Sequence, residues 1–360
     1  MSATRPAVNY PALTALRGIG AVWVTLFHLL PDTPFSLIRS GYLGVDLFFM
    51  MSGFIISHVH ASDFPHYSLA QHWHFLQLRL ARIYPLHVFI LCLFGLAVWL
   101  LPDFVARYNN PQRLDFAHFL ASLFLVHNWG LGDAPLWNGP TWSLSAEWLA
   151  YITFPLITIL CRRKVPLQLC LPLAVILLAG SVALILLSGH ATLDHVGKIG
   201  LLRMFTEFIA GCLIWQYVSA APAQTGNQFL LPALVVIGLS WATPNLGWMA
   251  VFGFALLLMA VIDEESIAVR FLKQPPLMLL GEASFALYLC HWPLIQVHNW
   301  LKAHTALNPI ALFIGLIVAI AFTTWFCWRF VEKPSRKVLR KLIRPATVAP
   351  DSNPIVKTMP

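Results

Sequence analysis

Charge is scarce in this sequence. Asp, Glu, Lys and Arg make up only 11% of its 360 residues, against about 25% in an ordinary soluble domain, which excludes a solvated globule. Linkers are missing as well: no Gly/Ser-rich or charged run is long enough to join a second globular domain, so one membrane-embedded unit with a short tail is expected. Cysteine pairs are absent. Cys92, Cys161, Cys170, Cys212, Cys290 and Cys327 stand singly in or beside apolar runs, which argues against a disulfide framework or a zinc site. No small-residue cleavage site follows the first apolar run, and Arg17 interrupts that run, so the first helix is expected to stay as a signal anchor. What abounds is apolar surface, 58% of residues with a mean hydropathy of +0.72. The expected fold is all-α: a polytopic integral membrane protein of about ten transmembrane helices with both termini cytoplasmic.

The net charge of +8 does not read as a nucleic-acid stripe, because the cations gather at the ends of apolar segments. Spans are expected at 12–31, 42–60, 84–101, 138–164, 166–187, 200–218, 229–245, 248–262, 277–300 and 308–330. A hydrophilic loop is expected over 61–78, and a longer connection over 102–140 holds Arg107, Asn109, Asn110 and Arg113. Its apolar piece, 116–129, is too short for a full crossing and reads as re-entrant or interfacial. Ten crossings put Arg79, Arg82, Arg162, Arg163, Lys164, Arg270, Lys273 and the run from Lys333 to Arg344 inside, and leave mainly Arg39, Arg107, Arg113, Lys198 and Lys302 outside. This is the positive-inside pattern. No internal repeat of the transporter type is visible.

Chemistry concentrates on a few polar residues inside this apolar frame. Arg17 and His28 are eleven residues apart on the first helix, about three turns, so they share one face about 16 Å apart. An intramembrane cation and imidazole on one face point to a functional interior; the plain alternative is a positive-inside flank and an interfacial histidine. Asp46 begins the second span at a depth similar to that of His28, so it is a candidate to hold the imidazole in one tautomer and make it a base near neutral pH. Arg79 and Arg82, three apart, share a helix face at the membrane edge with Arg17. That cluster suits a phosphate-bearing ligand with a charged cytoplasmic head and an arm reaching toward His28, the shape of coenzyme A; contact with lipid headgroups is the alternative.

Ser143, Ser145, Glu147 and His291 are candidates to face an acceptor, with Ser143 or Ser145 either a nucleophile or a helix cap. Glu207 and Glu282 are further ionisable groups within spans. His58, His60, His66, His72 and His74 with Asp63 lack the spacing of a helical metal-ligand pair, so no metal is expected.

Six motifs in order resemble acyltransferase family 3, the membrane O-acyltransferases of bacterial surface polysaccharides and some small molecules. They are the Arg17–His28 helix, GVDLFFMMSGFIIS at 44–57, RLARIYPLH at 79–87, TWSLSAEW at 141–148, SFALYLCHWPL at 284–294 and VEKPSRK at 331–337. The resemblance implies a family 3 transmembrane domain over 1–335 and a basic cytoplasmic tail over 336–360. It also implies acetyl-CoA or another acyl-CoA as donor, and a carbohydrate or lipid-linked glycan as acceptor. The bacterial inner membrane is the implied location, with lipids around the chain and homo-oligomerisation left open. Arg17 and His28 would match the family's first-helix pair, and Arg79 with Arg82 its arginine motif, here thinned by Leu80 and Ala81. Some members carry an added hydrolase-like C-terminal domain; 30 residues after the last span leave no room for one, so the membrane domain is expected to complete transfer or to hand the acyl group to a partner. Two rivals from other classes are a proton-coupled transporter of a small anionic or sugar-like solute and a regulatory membrane component without turnover. CoA-dependent product formation separates the enzyme from both.

Overall fold

A computed structural model describes residues 10–100, 114–130, 137–220, 226–242 and 244–343. Among the described residues the structure is helical, with no strand. We number the main helices α1 (Pro11–Leu29), α2 (Gly44–His60), α3 (Leu69–Leu100), α4 (Phe116–Leu123), α5 (Trp142–Lys164), α6 (Leu167–Leu187), α7 (Gly197–Ala220), α8 (Asn227–Ala242), α9 (Ala250–Ala260), α10 (Pro275–His304), α11 (Pro309–Phe326) and α12 (Lys333–Leu342). Among the described residues seven segments, 11–29, 36–63, 69–100, 139–164, 167–187, 275–304 and 309–342, are long and apolar enough to cross a membrane. The 24-residue α7 carries Lys198, Arg203 and Glu207, and α8 and α9 are shorter apolar helices.

Two boundaries differ from the sequence expectation, and the short 116–129 piece keeps to it. Helix α3 starts at Leu69, so much of the predicted 61–78 loop is helical. Phe75, Leu76 and Arg79 face the interior there while Trp73 is exposed, and this one-sided burial holds a polar stretch in helical form. Helix α4 has eight residues, about 12 Å, and cannot cross. Residues 336–342, assigned to the tail, continue α12. Arg107, Asn109, Asn110, Arg113, Arg344 and the rest of the tail lie outside the described residues.

The central contact is α1 against α10. A Cβ on Gly18 would stand 2.6 Å from the Gly281 nitrogen, and one on Gly281 2.0 Å from the Thr14 oxygen, so the two backbones touch where neither has a side chain. Ten residues further along each helix, His28 meets His291. Equal spacing from one contact to the next means that α1 and α10 run parallel. Helices α2 and α7 are also parallel: Asp46 pairs with Arg203 near their starts, and Cys212 Sγ lies 3.5 Å from the Gly53 carbonyl further along. Helix α11 packs on α10 and leaves Ile310, Ile314, Val318 and Phe322 exposed, an apolar face suited to lipid.

This arrangement gives the bundle two distinct ends. One holds Arg17, Arg79 and Arg82, and there Arg162 donates to the Ala61 carbonyl and Arg163 to that of Pro65. The other holds His28, His291 and the start of α5.

Candidate active site

At the histidine end, His291 is fully buried, and its two ring nitrogens have separate partners. Nδ1 lies 3.1 Å from the Leu287 carbonyl, and Nε2 lies 3.1 Å from His28 Nδ1. A carbonyl oxygen only accepts, so His291 Nδ1 must carry hydrogen, and in the neutral ring Nε2 then has the lone pair. His28 Nδ1–H is therefore the donor between the rings. The tautomer left to a neutral His28 has its lone pair on Nε2, the form that can take a proton. Trp292 packs edge-on against His28, with ring centroids 5.0 Å apart, and limits the ring's rotation.

Asp46 does not perform the orienting role expected of it. Its carboxylate accepts from Arg203 Nε at 2.9 Å and Nη2 at 2.6 Å, and the pair is almost sealed, at 0% and 2% exposure. Arg203 also donates to the His195 carbonyl at 3.0 Å and lies over the Trp142 ring. The reason is geometric: Asp46 points from α2 toward its parallel neighbour α7, whereas His28 points toward α10. An imidazole, not a carboxylate, fixes the candidate base. Just outside the spans, Asp194 is pushed above the usual carboxylate range, mainly by burial and against the pull of Arg203.

The acceptor-side candidates divide. Ser143 Oγ is 2.6 Å from the Tyr288 hydroxyl, and both lie near the Pro140 carbonyl. The Tyr288 ring is 5.9 Å from that of His291, so Ser143 belongs to the histidine cluster. Ser145 does not join it. Its hydroxyl donates to the Leu125 carbonyl and accepts from the Asn128 amide, clipping the 122–130 turn to α5. That turn holds Leu125 at φ +58°, the left-handed region a leucine seldom occupies, so the clip restrains a strained backbone.

Glu147 lies one turn below Ser143 on α5, about 6 Å deeper, and Tyr151 another turn below. Glu147 Oε1 accepts from Ser52 at 2.5 Å, and its charge acts on Arg17 and Arg79. It stands between the two ends of the bundle, deeper than the outer position expected. Arg79 is buried and held by His60, whose Nε2 accepts from Arg79 Nη2 at 3.1 Å while Nδ1 bonds Asp63 at 2.8 Å. The charges that act on Arg17 include Arg82, Glu332 and Arg336. Glu282, counted among in-span groups, is exposed at the arginine end and pairs with Lys333 at 2.9 Å.

The sequence reading missed Arg203, Ser52, Tyr288 and Glu332 as members of these clusters. A signal existed for Arg203: it stands four residues before Glu207, so an opposite pair occupies one face of an apolar helix. No local signal marked Ser52 or Tyr288, because a lone hydroxyl in an apolar run is ordinary.

Over residues 10–329 the chain matches a family model described as an acyltransferase domain. It is 24% identical over 359 residues to the O-acetyltransferase OatA of Staphylococcus aureus, across 91% of this chain and 57% of that protein. The chain thus spans little more than half the length of those relatives. It is 25% identical over 390 residues to the acyltransferase MdmB of Streptomyces mycarofaciens, across 96% of both chains. A putative membrane-bound transacylase, BcsY of Komagataeibacter xylinus, is 25% identical over 331 residues, across 86% of this chain and 79% of that one. No solved structure matches at a significant level.

Proposed function

We propose, from the premise that the chain belongs to acyltransferase family 3, that it moves an acyl group, acetyl in the first instance, from cytoplasmic acyl-CoA to a hydroxyl of a cell-surface or exported carbohydrate. Acetyl is favoured by the name of the Staphylococcus relatives. The proposed location is the bacterial inner membrane, with the arginine end facing the cytoplasm because the inward-assigned cations gather there.

The observation that carries the reading is the His28–His291 hydrogen bond on the helix whose other end presents Arg17. In the proposed step, His28 Nε2 takes the proton of the acceptor hydroxyl as its oxygen attacks the thioester carbonyl carbon. The C–S bond then breaks, and the departing thiolate takes that proton from His28, so free CoA leaves as the thiol. His291 accepts from His28 Nδ1 throughout and steadies the imidazolium. Arg17, Arg79 and Arg82 hold the phosphates, with Arg79 aimed by His60. Ser143 and Tyr288 line the acceptor side, and Ser145 is assigned to the fold instead.

The transporter rival relied on Glu207, Glu282 and His291 as proton carriers. Glu282 is exposed in an ion pair and His291 is committed to His28, which weakens that rival.

Purified His28→Ala protein should lose acetyl transfer by roughly a hundredfold to ten-thousandfold while keeping its melting temperature and its acetyl-CoA affinity. Transfer within a few-fold of wild type would remove His28 from the chemistry. Failure of the wild type to consume acetyl-CoA or any longer acyl-CoA with a carbohydrate acceptor would undercut the transferase reading itself.

A further inference from the structure

A π-turn, Cys327–Glu332, separates α11 from α12. Such turns alter which face the following residues present and recur at functional sites. Here the turn leaves Glu332 buried at 5% exposure at the arginine end, and α12 then packs against α3, the helix of Arg79 and Arg82. Arg336 and Arg340, four apart and so on one face of α12, join the same field. The charges that act on Arg336 include Arg82, Arg340, Glu332 and Arg79, and those on Glu332 include Arg82, Arg336 and Arg17. Arg336 is half-buried and Arg340 exposed; Lys337 and Lys341 stand on the adjoining face, also exposed.

Five arginines from three helices thus share one field, in which Glu332 acts with Arg17, Arg82 and Arg336, and Glu147 with Arg17 and Arg79. Among the described residues, Arg17 Nε, Arg79 Nε and Glu332 Oε2 are buried without a hydrogen-bond partner. Buried donors of one sign, in excess and partly unpaired, are stable only with an anion among them. The cations outnumber Glu332 and Glu147, and the surplus suits the anionic phosphates of a phosphorylated nucleoside diphosphate. We propose that Arg336 and Arg340 form the second wall of the donor site, binding the phosphates of acyl-CoA opposite Arg79 and Arg82. In this arrangement Glu332 gathers Arg17, Arg82 and Arg336 before the donor arrives. The inference rests on the acyl-CoA reading above and adds a C-terminal element to it.

Phosphate chemistry is also offered by lipid headgroups, so the test must separate the two sources. Acetyl-CoA binding would be measured in nanodiscs of phosphatidylcholine alone and of phosphatidylcholine with phosphatidylglycerol. Wild type would be compared with R336Q/R340Q, K337Q/K341Q and R79Q/R82Q, each checked for an unchanged melting temperature. In phosphatidylcholine, R336Q/R340Q should weaken acetyl-CoA binding about tenfold or more, with a smaller deficit at high salt because screening reduces what the arginines contribute. The charge-matched K337Q/K341Q should stay within about twofold, and R336K/R340K should recover part of the loss.

Equal losses in R336Q/R340Q and K337Q/K341Q would reduce the effect to bulk charge and overturn the proposal. So would an R336Q/R340Q protein with wild-type affinity in phosphatidylcholine and a changed response only to phosphatidylglycerol, which would assign the pair to headgroups. Loss in R79Q/R82Q without loss in R336Q/R340Q would overturn the α12 wall and leave the acyl-CoA donor standing. No binding by folded wild type would overturn both.

Discussion

Arg203 and the cluster at Arg17, Arg79 and Arg82 put the same side chain into the same apolar bundle under opposite terms. Arg203 meets the Asp46 carboxylate in two parallel hydrogen bonds, lies in the field of Glu207 and Asp194, adds a carbonyl and a ring face, and is closed to solvent. At the arginine end, cations from three helices share Glu332 and leave donors unpaired. Here carboxylates balance the cation, and the hydrogen-bonded pair ties α2 to α7. Several like charges that outnumber Glu332 and Glu147 repel one another, which is why a guest of opposite sign is proposed there. Partner count therefore separates the structural arginine from those proposed to bind the donor, although burial alone does not.

The strongest way to break that comparison is to remove one side of the closed pair. Asp46→Asn takes the hydrogen-bonded carboxylate from the buried Arg203 charge, which costs up to about 3–5 kcal/mol and should appear as a clear fall in melting temperature in detergent. An apolar double replacement, Asp46→Leu with Arg203→Met, should recover part of the loss, because the two charges leave together while the buried Glu207 carboxyl beside them stays. If Asp46→Asn melted like wild type yet lost transfer, Asp46 would belong to the chemistry and the division would collapse.

The open cluster should respond in the reverse sense. Arg82→Gln removes one of several like charges, so stability should hold or rise slightly, while the KM for acetyl-CoA should rise about tenfold, as a charged hydrogen bond of about 1.5–3 kcal/mol is lost. Little change in kcat is expected, because phosphate binding is shared by ground state and transition state. A fall in melting temperature matching that of Asp46→Asn would show the arginine end to be structural as well.

Much of this was legible in the sequence, for a physical reason. Apolar runs set the helices, and the 3.6-residue period put Arg17 with His28 and Arg79 with Arg82 on shared faces without any tertiary knowledge. What could not be read was partner choice between helices. Asp46 had a near candidate in His28 across a short loop, yet its partner is 157 residues away on a parallel helix. His291 was visible as a buried ionisable group but not as the partner of His28; the clue lay in matched spacings, since Gly18 precedes His28 and Gly281 precedes His291 by the same ten positions. Helix α12 was read as tail because its charges, taken alone, look solvated, and only its packing on α3 turns Arg336 toward the bundle.

The smallest expected effects concern two serines two residues apart. Ser145→Ala removes the anchor of the Leu125 carbonyl and of the Asn128 amide, leaving buried groups unpaired beside a strained residue. A loss of about 1–3 kcal/mol is expected, with transfer by the folded fraction nearly unchanged. Ser143→Ala removes one partner of Tyr288, which keeps the Pro140 carbonyl, so stability should fall by no more than about 1 kcal/mol. If Ser143 only holds Tyr288 against the acceptor, transfer should drop less than about tenfold, since one neutral hydrogen bond of about 1 kcal/mol is at stake. A thousandfold drop, with an acetyl group trapped on wild-type protein and missing from Ser143→Ala, would make Ser143 a nucleophile and His28 the base that activates it. The direct attack proposed here would then give way to two successive transfers through an acyl-enzyme.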